Sequence, residues 1–204
     1  MILHGKDGQF YIDWCGKQFL YRLNHATLKN ELLARAIGIS PKDHPKIIDA
    51  TAGLGRDSMI LAALGYEVTM LEKSAVLYHM LQDAFHHAST NETLVPLIQK
   101  LRLIQTDASL WLKQIDPADR PDVIYMDPMF PERKKSAFVR KEMVFLQNLL
   151  GKDDNVLDLL QSALACAKKR VVIKRPRLAQ EISINKGPHF SITGKSSRFD
   201  IYLV

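Results

Sequence analysis

The sequence predicts an α/β protein built around one mostly parallel β-sheet. Apolar segments of strand length alternate with segments of helical periodicity along most of the 204 residues, as in strand–helix–strand units. A glycine-rich turn follows the first of these strands, and two β-rich segments lie close together near the C-terminus. We therefore expect a seven-stranded sheet with five parallel strands and a C-terminal antiparallel hairpin.

The individual elements follow from apolar runs and from the spacing of apolar residues. Strands are predicted at 47–48, 66–71, 101–105, 122–126, 170–173, 189–193 and 198–204, and helices at 58–64, 75–88 and 156–167. Class I methyltransferases end their sheet in such a hairpin, whereas typical dinucleotide-binding domains do not. The sequence thus favours a Rossmann-like class I methyltransferase fold.

Residues 1–45 are predicted to form a short N-terminal extension, and residues 46–204 the methyltransferase domain. The extension contains a β-like patch at 10–14 and a helical segment at 28–37. Two interpretations stay open: the extension covers the ligand or helps to bind the substrate, or it only packs against the domain.

Composition excludes several classes of protein. A chain of 204 residues with 47% apolar residues has room for one sizeable core. It has no apolar run of about 20 residues and no signal-peptide pattern, so we expect a soluble, cytoplasmic protein. Cys15 and Cys166 have no CxxC partner, and neither a disulfide framework nor a metal site is expected. The oligomeric state is not indicated.

The charge balance favours a polyanionic partner. The net charge is +6 and the isoelectric point is about 9.3, which promotes nucleic-acid binding through counterion release. The basic residues form two groups in the sequence: Arg133, Lys134, Lys135, Arg140 and Lys141, and then Lys168, Lys169, Arg170, Lys174, Arg175 and Arg177. A solvated basic surface is the alternative interpretation.

The turn after the first strand is the candidate cofactor site. In an open parallel sheet, ligands bind beyond the carboxyl ends of the strands, where glycines allow close approach of the backbone. Gly53 and Gly55 have this position, with Asp49 and Ala50 at the start of the turn. Glu72 ends the second strand and could accept both hydrogen bonds of a ribose diol.

The rest of the turn distinguishes between two cofactors. A dinucleotide fingerprint has a third glycine, but Ser58 has that place, and Asp49 and Asp57 add negative charge. Carboxylates repel a pyrophosphate and suit the sulfonium and ammonium groups of S-adenosylmethionine, which we therefore expect as the cofactor. Asp107 could bind the adenine amino group, with Ala108 offering its amide, although Asp107 is equally suited to cap a helix.

The sequence Tyr-Met-Asp-Pro-Met-Phe-Pro at 125–131 is the candidate catalytic turn. It resembles the Asp/Asn-Pro-Pro-aromatic motif of methyltransferases that act on planar amino groups. Such an amine is a poor nucleophile, and Asp127 with the carbonyl of Pro128 could draw its hydrogens away from the ring plane. Phe130 could stack on an extruded base. A rigid turn with a core phenylalanine is the alternative.

Arg133, Lys134 and Lys135 follow this turn and are predicted to contact RNA phosphates, which position a substrate without selecting a base. Lys174 and Arg175, after the fifth strand, are predicted to contribute to the same RNA-binding surface.

Several motifs together resemble one bacterial family, the RsmJ-type guanine-N2 methyltransferases of 16S ribosomal RNA. They are DATAGLGRD at 49–57, MLEK at 70–73, YMDPMFP at 125–131, KKSA at 134–137, VIKRP at 172–176 and RFDIY at 198–202. The resemblance implies transfer of a methyl group to a guanine N2 of 16S rRNA, free or in the small ribosomal subunit. It also implies cofactor contacts at Arg56, Asp57, Glu72, Lys73, Asp107, Ala108 and Asp127.

Two other functions stay open. The chain could methylate another planar amino group, such as adenine N6 or a protein glutamine, although the clustered basic residues favour RNA. It could instead be an inactive RNA-binding relative, against which the combination of Gly53, Gly55, Glu72 and Asp127 argues.

Overall fold

Nine strands are present in the computed structural model, which describes residues 2–5, 8–128, 155–182, 184 and 186–204. In chain order they are β1 (Leu3–Gly5), β2 (Gly8–Phe10), β3 (Ile47–Asp49), β4 (Val68–Glu72), β5 (Leu101–Gln105), β6 (Val123–Met126), β7 (Arg170–Pro176), β8 (Phe190–Thr193) and β9 (Ser197–Leu203). The first two pair only with each other, antiparallel.

Strands β3 to β9 form one sheet in the order β5-β4-β3-β6-β7-β9-β8. Five of them are parallel, and β9 runs antiparallel to both β7 and β8. The predicted seven-stranded sheet with a C-terminal antiparallel hairpin is thus confirmed. Because β3 lies between β4 and β6, Asp49 has Met70 and Tyr125 as its neighbours, and the turns after these three strands meet at one edge.

Helices cover both faces of the sheet. In chain order they are α1 (Lys17–His25), α2 (Leu32–Ile37), α3 (Arg56–Ala63), α4 (Ala75–Ala88), α5 (Val95–Ile98), α6 (Ala108–Gln114) and α7 (Val156–Cys166). Short 3₁₀ turns at Pro41–Asp43 and Pro117–Asp119 precede β3 and β6.

The core has two layers because successive strand residues point to opposite faces of a sheet. On one face, Ile47, Met70 and Val172 pack with residues of the helices α1 to α4. On the other face, the next residue of each strand, such as Ile48 or Leu71, packs with α6 and α7. Because these strands are buried on both faces of the sheet, their sequences are continuous apolar runs.

The N-terminal residues share the first of these cores. Phe10, Ile12, Trp14 and Leu23 are buried in the same cluster as the strand residues. The indole Nε1 of Trp14 donates to the carbonyl of Leu54 at 3.0 Å, within the turn after β3. These residues therefore pack against the rest of the chain next to the candidate cofactor turn, which is compatible with both interpretations of the extension.

Two N-terminal predictions were wrong in extent. The β-like patch at 10–14 is not a strand, since β2 ends at Phe10 and the next six residues are irregular. The helix predicted at 28–37 begins only at Leu32, because Asn30 and Thr27 exchange hydrogen bonds that close a turn. The helix α1 was not predicted.

Candidate active site

The turn after β3 is hydrogen-bonded to both neighbouring strands. The amide of Ala50 donates to the carbonyl of Tyr125 at 2.9 Å, and the amide of Ala52 donates to the carbonyl of Leu71 at 3.0 Å. The hydroxyl of Thr51 accepts the amide of Asp127 at 2.6 Å. The predicted cofactor turn and the predicted catalytic turn are therefore joined directly.

Both predicted glycines have the left-handed conformation that favours glycine. The φ angles are 55° at Gly53 and 70° at Gly55. A Cβ atom on Gly55 would come within 2.6 Å of the Trp14 ring, whereas one on Gly53 would meet only a backbone oxygen at 3.7 Å. Gly55 is thus required by the core, and Gly53 leaves open space beside the turn.

The carboxylate of Glu72 organises the ends of two loops. Its Oε2 accepts the amide of Gly53 at 2.9 Å, and its Oε1 accepts the amide of Ser74 at 2.8 Å. A carboxylate oxygen has two lone pairs and can accept more than one hydrogen bond. Binding of a ribose diol by Glu72 stays a prediction.

Asp49 is a buried carboxyl beneath the turn. Its Oδ2 accepts the hydroxyl of Ser58 at 2.6 Å, and its Oδ1 accepts the amide of Thr51 at 3.1 Å. Burial raises the pKa of Asp49 to about 7 and outweighs these two hydrogen bonds, which favour the ionised form. A cation bound beside the turn would therefore lower this pKa.

Lys174 lies between two carboxylates of the site. Its ammonium is 2.6 Å from Oδ2 of Asp57 and 2.8 Å from Oδ2 of Asp127. The hydroxyl of Tyr125 also donates to Oδ2 of Asp57, at 2.5 Å. Residues from β6, β7 and the first turn of α3 thus form one charged network at the edge of the sheet.

Burial and Lys174 act against each other within this network. Burial alone would raise the pKa of Asp57, but the charge and hydrogen bond of Lys174 outweigh it and lower that pKa. For Asp127, burial and the negative charge of Asp57 prevail over Lys174 and raise the pKa to about 6. Asp127 is therefore mostly ionised at neutral pH, and 38% of its side chain is exposed.

Asp57 and Asp127 in turn raise the pKa values of their neighbours Lys174 and Tyr125. Burial would lower the pKa of Lys174, but the charges of Asp57 and Asp127 raise it, so the ammonium stays protonated. Burial and the same carboxylates raise the pKa of Tyr125 well above its ordinary value, which keeps its hydroxyl a donor.

The remaining predicted cofactor residues follow the cofactor turn, β4 and β5 in the chain. Asp107 caps α6, with Oδ1 accepting the amide of Leu110 at 3.2 Å, as its helix-cap interpretation predicted. Ala108 is buried in the second core layer. Arg56 begins α3 beside Asp57, and Lys73 is exposed directly after β4.

The catalytic and RNA-binding predictions are only partly covered by the structure. Pro128 is buried directly after Asp127. Phe130 and the predicted RNA contacts Arg133, Lys134 and Lys135 lie outside the described residues.

Lys174 and Arg175 do not have the surface positions that an RNA-contact prediction supposes. Lys174 points into the acidic network, and Arg175 is buried on the opposite side of β7, where its Nη2 donates to the carbonyl of Gln180 at 2.8 Å. Successive side chains of a strand point in opposite directions, so one basic run supplies a site residue and a structural residue. The burial of Arg175 favours a structural role.

Sequence reasoning missed four contributors to the site. Thr51 has no distinguishing signal in the sequence, Ser58 stands only where a dinucleotide fingerprint has its third glycine, and Tyr125 belongs to the candidate catalytic turn without a role of its own. Trp14 precedes the turn by some forty residues, and no local pattern indicates their contact.

The arrangement fits S-adenosylmethionine. Open space at Gly53 and buried carboxyl groups at Asp49 and Glu72 lie at the edge of the sheet where ligands of this fold bind. The acidic surroundings suit a cation and oppose a pyrophosphate. The fold and the site together define a class I S-adenosylmethionine-dependent methyltransferase.

Comparison with known proteins extends this result. A family model of S-adenosylmethionine-dependent methyltransferases matches residues 2–204. Proteins named ribosomal RNA small subunit methyltransferase J are similar over most of the chain: that of Thioalkalivibrio sulfidiphilus is 44% identical over 96% of this chain and 76% of its own, and that of Coxiella burnetii 44% over 97% and 76%. The chain therefore belongs to the ribosomal RNA small subunit methyltransferase J family.

A solved structure agrees with this assignment. The S-adenosylmethionine-dependent methyltransferase of Neisseria gonorrhoeae superposes with a TM-score of 0.76 at 33% identity, covering 98% of this chain and 77% of that one.

None of the helices described is long and apolar enough to cross a bilayer. In the same part of the chain, His, Cys, Asp and Glu side chains form no group of three that could hold a metal ion.

Proposed function

We propose that this protein transfers the methyl group of S-adenosylmethionine to the exocyclic N2 of a guanine in 16S rRNA, in the cytoplasm. The observation that carries the proposal is the carboxylate of Asp127, which Lys174 holds beside the cofactor turn. The names of the relatives support ribosomal RNA of the small subunit as the substrate. The guanine N2 position comes from the resemblance of several motifs, YMDPMFP at 125–131 among them, to the RsmJ-type family.

The chemistry requires an acceptor beside the amino group. S-adenosylmethionine supplies an electrophilic methyl group on a sulfonium. Transfer of this methyl group would form a carbon–nitrogen bond at N2 and break the carbon–sulfur bond, and one proton would leave the nitrogen. Asp127 accepts a hydrogen bond from that amino group, draws its lone pair out of conjugation with the ring, and with a pKa of about 6 can take up the proton.

Neighbouring residues hold Asp127 in one orientation. Lys174 fixes Oδ2 at 2.8 Å, and the hydroxyl of Thr51 fixes the backbone amide at 2.6 Å. Asp57, itself bound by Tyr125 and Lys174, completes the network. A preorganised acceptor of this kind needs no rearrangement during methyl transfer, which is where such groups contribute most.

The cofactor turn supplies binding rather than chemistry. The carboxylate of Glu72 receives the ribose hydroxyls, and Asp49 with Asp57 provides the negative field that favours the sulfonium and ammonium groups. Backbone contacts to the cofactor are proposed at Ala50, Gly53, Gly55 and Ala108. The proposed cofactor set is completed by Arg56, Lys73 and Asp107.

Residues that follow Pro128 in the chain are assigned to the RNA. Phe130 is proposed to stack on the target base, while Arg133, Lys134 and Lys135 bind phosphates close to it. The division into an extension at 1–45 and a methyltransferase domain at 46–204 is part of the same proposal.

The test is methyl transfer to unmodified 16S rRNA by Asp127→Ala and Asp127→Asn variants at saturating cofactor. Loss of one preorganised polar contact at a reacting centre typically lowers the rate by roughly 100- to 1000-fold. Cofactor affinity, measured by calorimetry, separates a binding defect from a catalytic one. Asp158→Ala is the matched control, because Asp158 is a partly exposed aspartate paired with Lys113 on α6, and it should leave the rate unchanged.

A rate within about threefold of the wild type for Asp127→Ala would contradict the mechanism. A product other than N2-methylguanosine, with the rate still dependent on Asp127, would retain the mechanism and change the substrate.

A further inference from the structure

One face of α1 carries exposed side chains of a kind that binds RNA. Gln18, Tyr21, Arg22 and His25 are spaced at i, i+3, i+4 and i+7 and so share one side of this helix; all four are exposed. We call this set the outer face of α1. Leu23 lies on the opposite side and is buried in the core.

Tyr21 and His25 form a stacked pair on this face. Their ring centroids are 4.0 Å apart and their planes differ by 23°, and Nδ1 of His25 lies 2.8 Å from the carbonyl of Tyr21. Tyr21 is nevertheless 65% exposed. His25 therefore covers one face of the tyrosine ring and holds its orientation, while much of the ring remains open to solvent.

Arg22 is fixed next to this pair. Its Nε and Nη2 donate to the two carboxylate oxygens of Glu31 at 3.1 and 2.9 Å. About half of the Arg22 side chain is exposed. A guanidinium held in one orientation at the surface loses little freedom when it binds a phosphate.

The helix α1 lies near the transfer site. Trp14, just before α1, is bonded to the carbonyl of Leu54 in the cofactor turn, and α1 packs on α3, whose first turn contains Asp57. Arg22 is close enough to Asp57 for each charge to shift the pKa of the other. A chain that delivers a base to Asp127 would thus pass near this helix.

We propose that the outer face of α1 binds the single-stranded rRNA next to the target nucleotide, with a base stacked on Tyr21 and a phosphate on Arg22. This inference rests on the proposed function. RNA is favoured over a protein partner because exposed aromatic rings stack on unpaired bases and arginine pairs with phosphates, in a chain of net charge +6. It gives the N-terminal extension a role in substrate binding.

The experiment compares binding of unmodified full-length 16S rRNA to the wild type and to Tyr21→Ala, Tyr21→Phe and Arg22→Gln variants. Loss of one base stack should weaken binding by roughly 5- to 150-fold in Tyr21→Ala, with Tyr21→Phe close to the wild type. Arg22→Gln should lower the slope of log affinity against log salt by about 0.7. The KM for RNA should rise in Tyr21→Ala and in Arg22→Gln, while the affinity for S-adenosylmethionine, measured by calorimetry, should stay unchanged.

Matched controls lie on other surfaces. Phe190 is an exposed aromatic residue on the edge strand β8, and Arg102 is an exposed arginine on β5; Phe190→Ala and Arg102→Gln should bind RNA as the wild type does. The inference would be overturned, with the proposed function intact, if Tyr21→Ala and Arg22→Gln bound RNA with the affinity and salt slope of the wild type while the wild type still methylated rRNA. Absence of rRNA methylation by the wild type would overturn the proposed function itself.

Discussion

Within the described residues, Lys174 carries the only positive charge that we assign between Asp57 and Asp127. Its replacement by methionine removes this charge and keeps a side chain of similar length. The ammonium contacts these two carboxylates at 2.6 and 2.8 Å, and 28% of its side chain is exposed. Exposed ion pairs contribute up to about 1 kcal/mol, and breaking a buried pair costs about 3–5 kcal/mol. Partial exposure puts the expected loss of unfolding free energy at about 2 kcal/mol.

Two measurements follow from this loss. For a chain of this length each kcal/mol lowers the Tm by about 2–4 °C, so the Tm should fall by about 4–8 °C. Asp127 would also face Asp57 without a counter-charge, and its pKa should rise above the present value of about 6. Because the ionised carboxylate is the acceptor, the acidic limb of the pH–rate profile should move to higher pH.

The pH–rate profile distinguishes this positioning role from a merely structural one. Methyl transfer by Lys174→Met should recover in part between pH 6.5 and pH 8.5, whereas a misfolded site would stay inactive. Lys113→Met is the matched control. Lys113 lies away from the site, and its ammonium is 2.9 Å from the carboxylate of Asp158. Neither the Tm nor the pH–rate profile of this variant should change much. A Lys174→Met profile that overlays the wild type would refute the proposed coupling to Asp127.

Three further predictions concern the cofactor turn. Glu72→Ala should weaken S-adenosylmethionine binding by roughly 10- to 150-fold, since a charged hydrogen-bond acceptor contributes about 1.5–3 kcal/mol; unchanged affinity by calorimetry in a folded variant would move the ribose site elsewhere. Cofactor affinity should fall as pH is lowered from 7.5 to 5.5, because the carboxyl of Asp49, with its pKa of about 7, becomes protonated and loses its attraction for a cation; a flat profile over this range would contradict that link. Gly55→Ala should destabilise the protein by about 2–4 kcal/mol in urea unfolding, because its φ is 70° and its Cβ would lie 2.6 Å from Trp14. Gly53→Ala should cost only about 1 kcal/mol, and equal losses in the two variants would argue against the contact with Trp14.

The sheet could be predicted from sequence because its strands are buried on both faces. Segments such as β6, with four consecutive buried residues, stand out as apolar runs wherever they occur. The glycine turn was equally visible, since Gly53 and Gly55 follow a strand directly. These signals are local, and the turn residues that they indicate do meet at one edge.

The helix α1 escaped prediction because its local signals are weak. Its first turn has no acidic residue, and Gly16 at its N-cap offers no side chain for capping. Its buried side depends on contacts with α3, which is distant in sequence.

The role of Lys174 could not be read from the sequence for a different reason. It stands in a basic run beside Arg175, and composition alone groups the two as a surface patch. Strand geometry separates them: one enters the acidic network and the other is buried on the opposite side. Asp57 and Asp127 are 70 positions apart in the chain, and only the parallel pairing of β3 with β6 brings them to one ammonium.

The most direct test of the account is mass spectrometry of 16S rRNA nucleosides from a strain that lacks this gene. We expect one N2-methylguanosine to disappear and to return when the wild-type gene is supplied, but not when the supplied gene carries Asp127→Ala. Full restoration of the modification by the Asp127→Ala gene, or a 16S rRNA whose N2-methylguanosine content is unchanged by the deletion, would contradict the central claim.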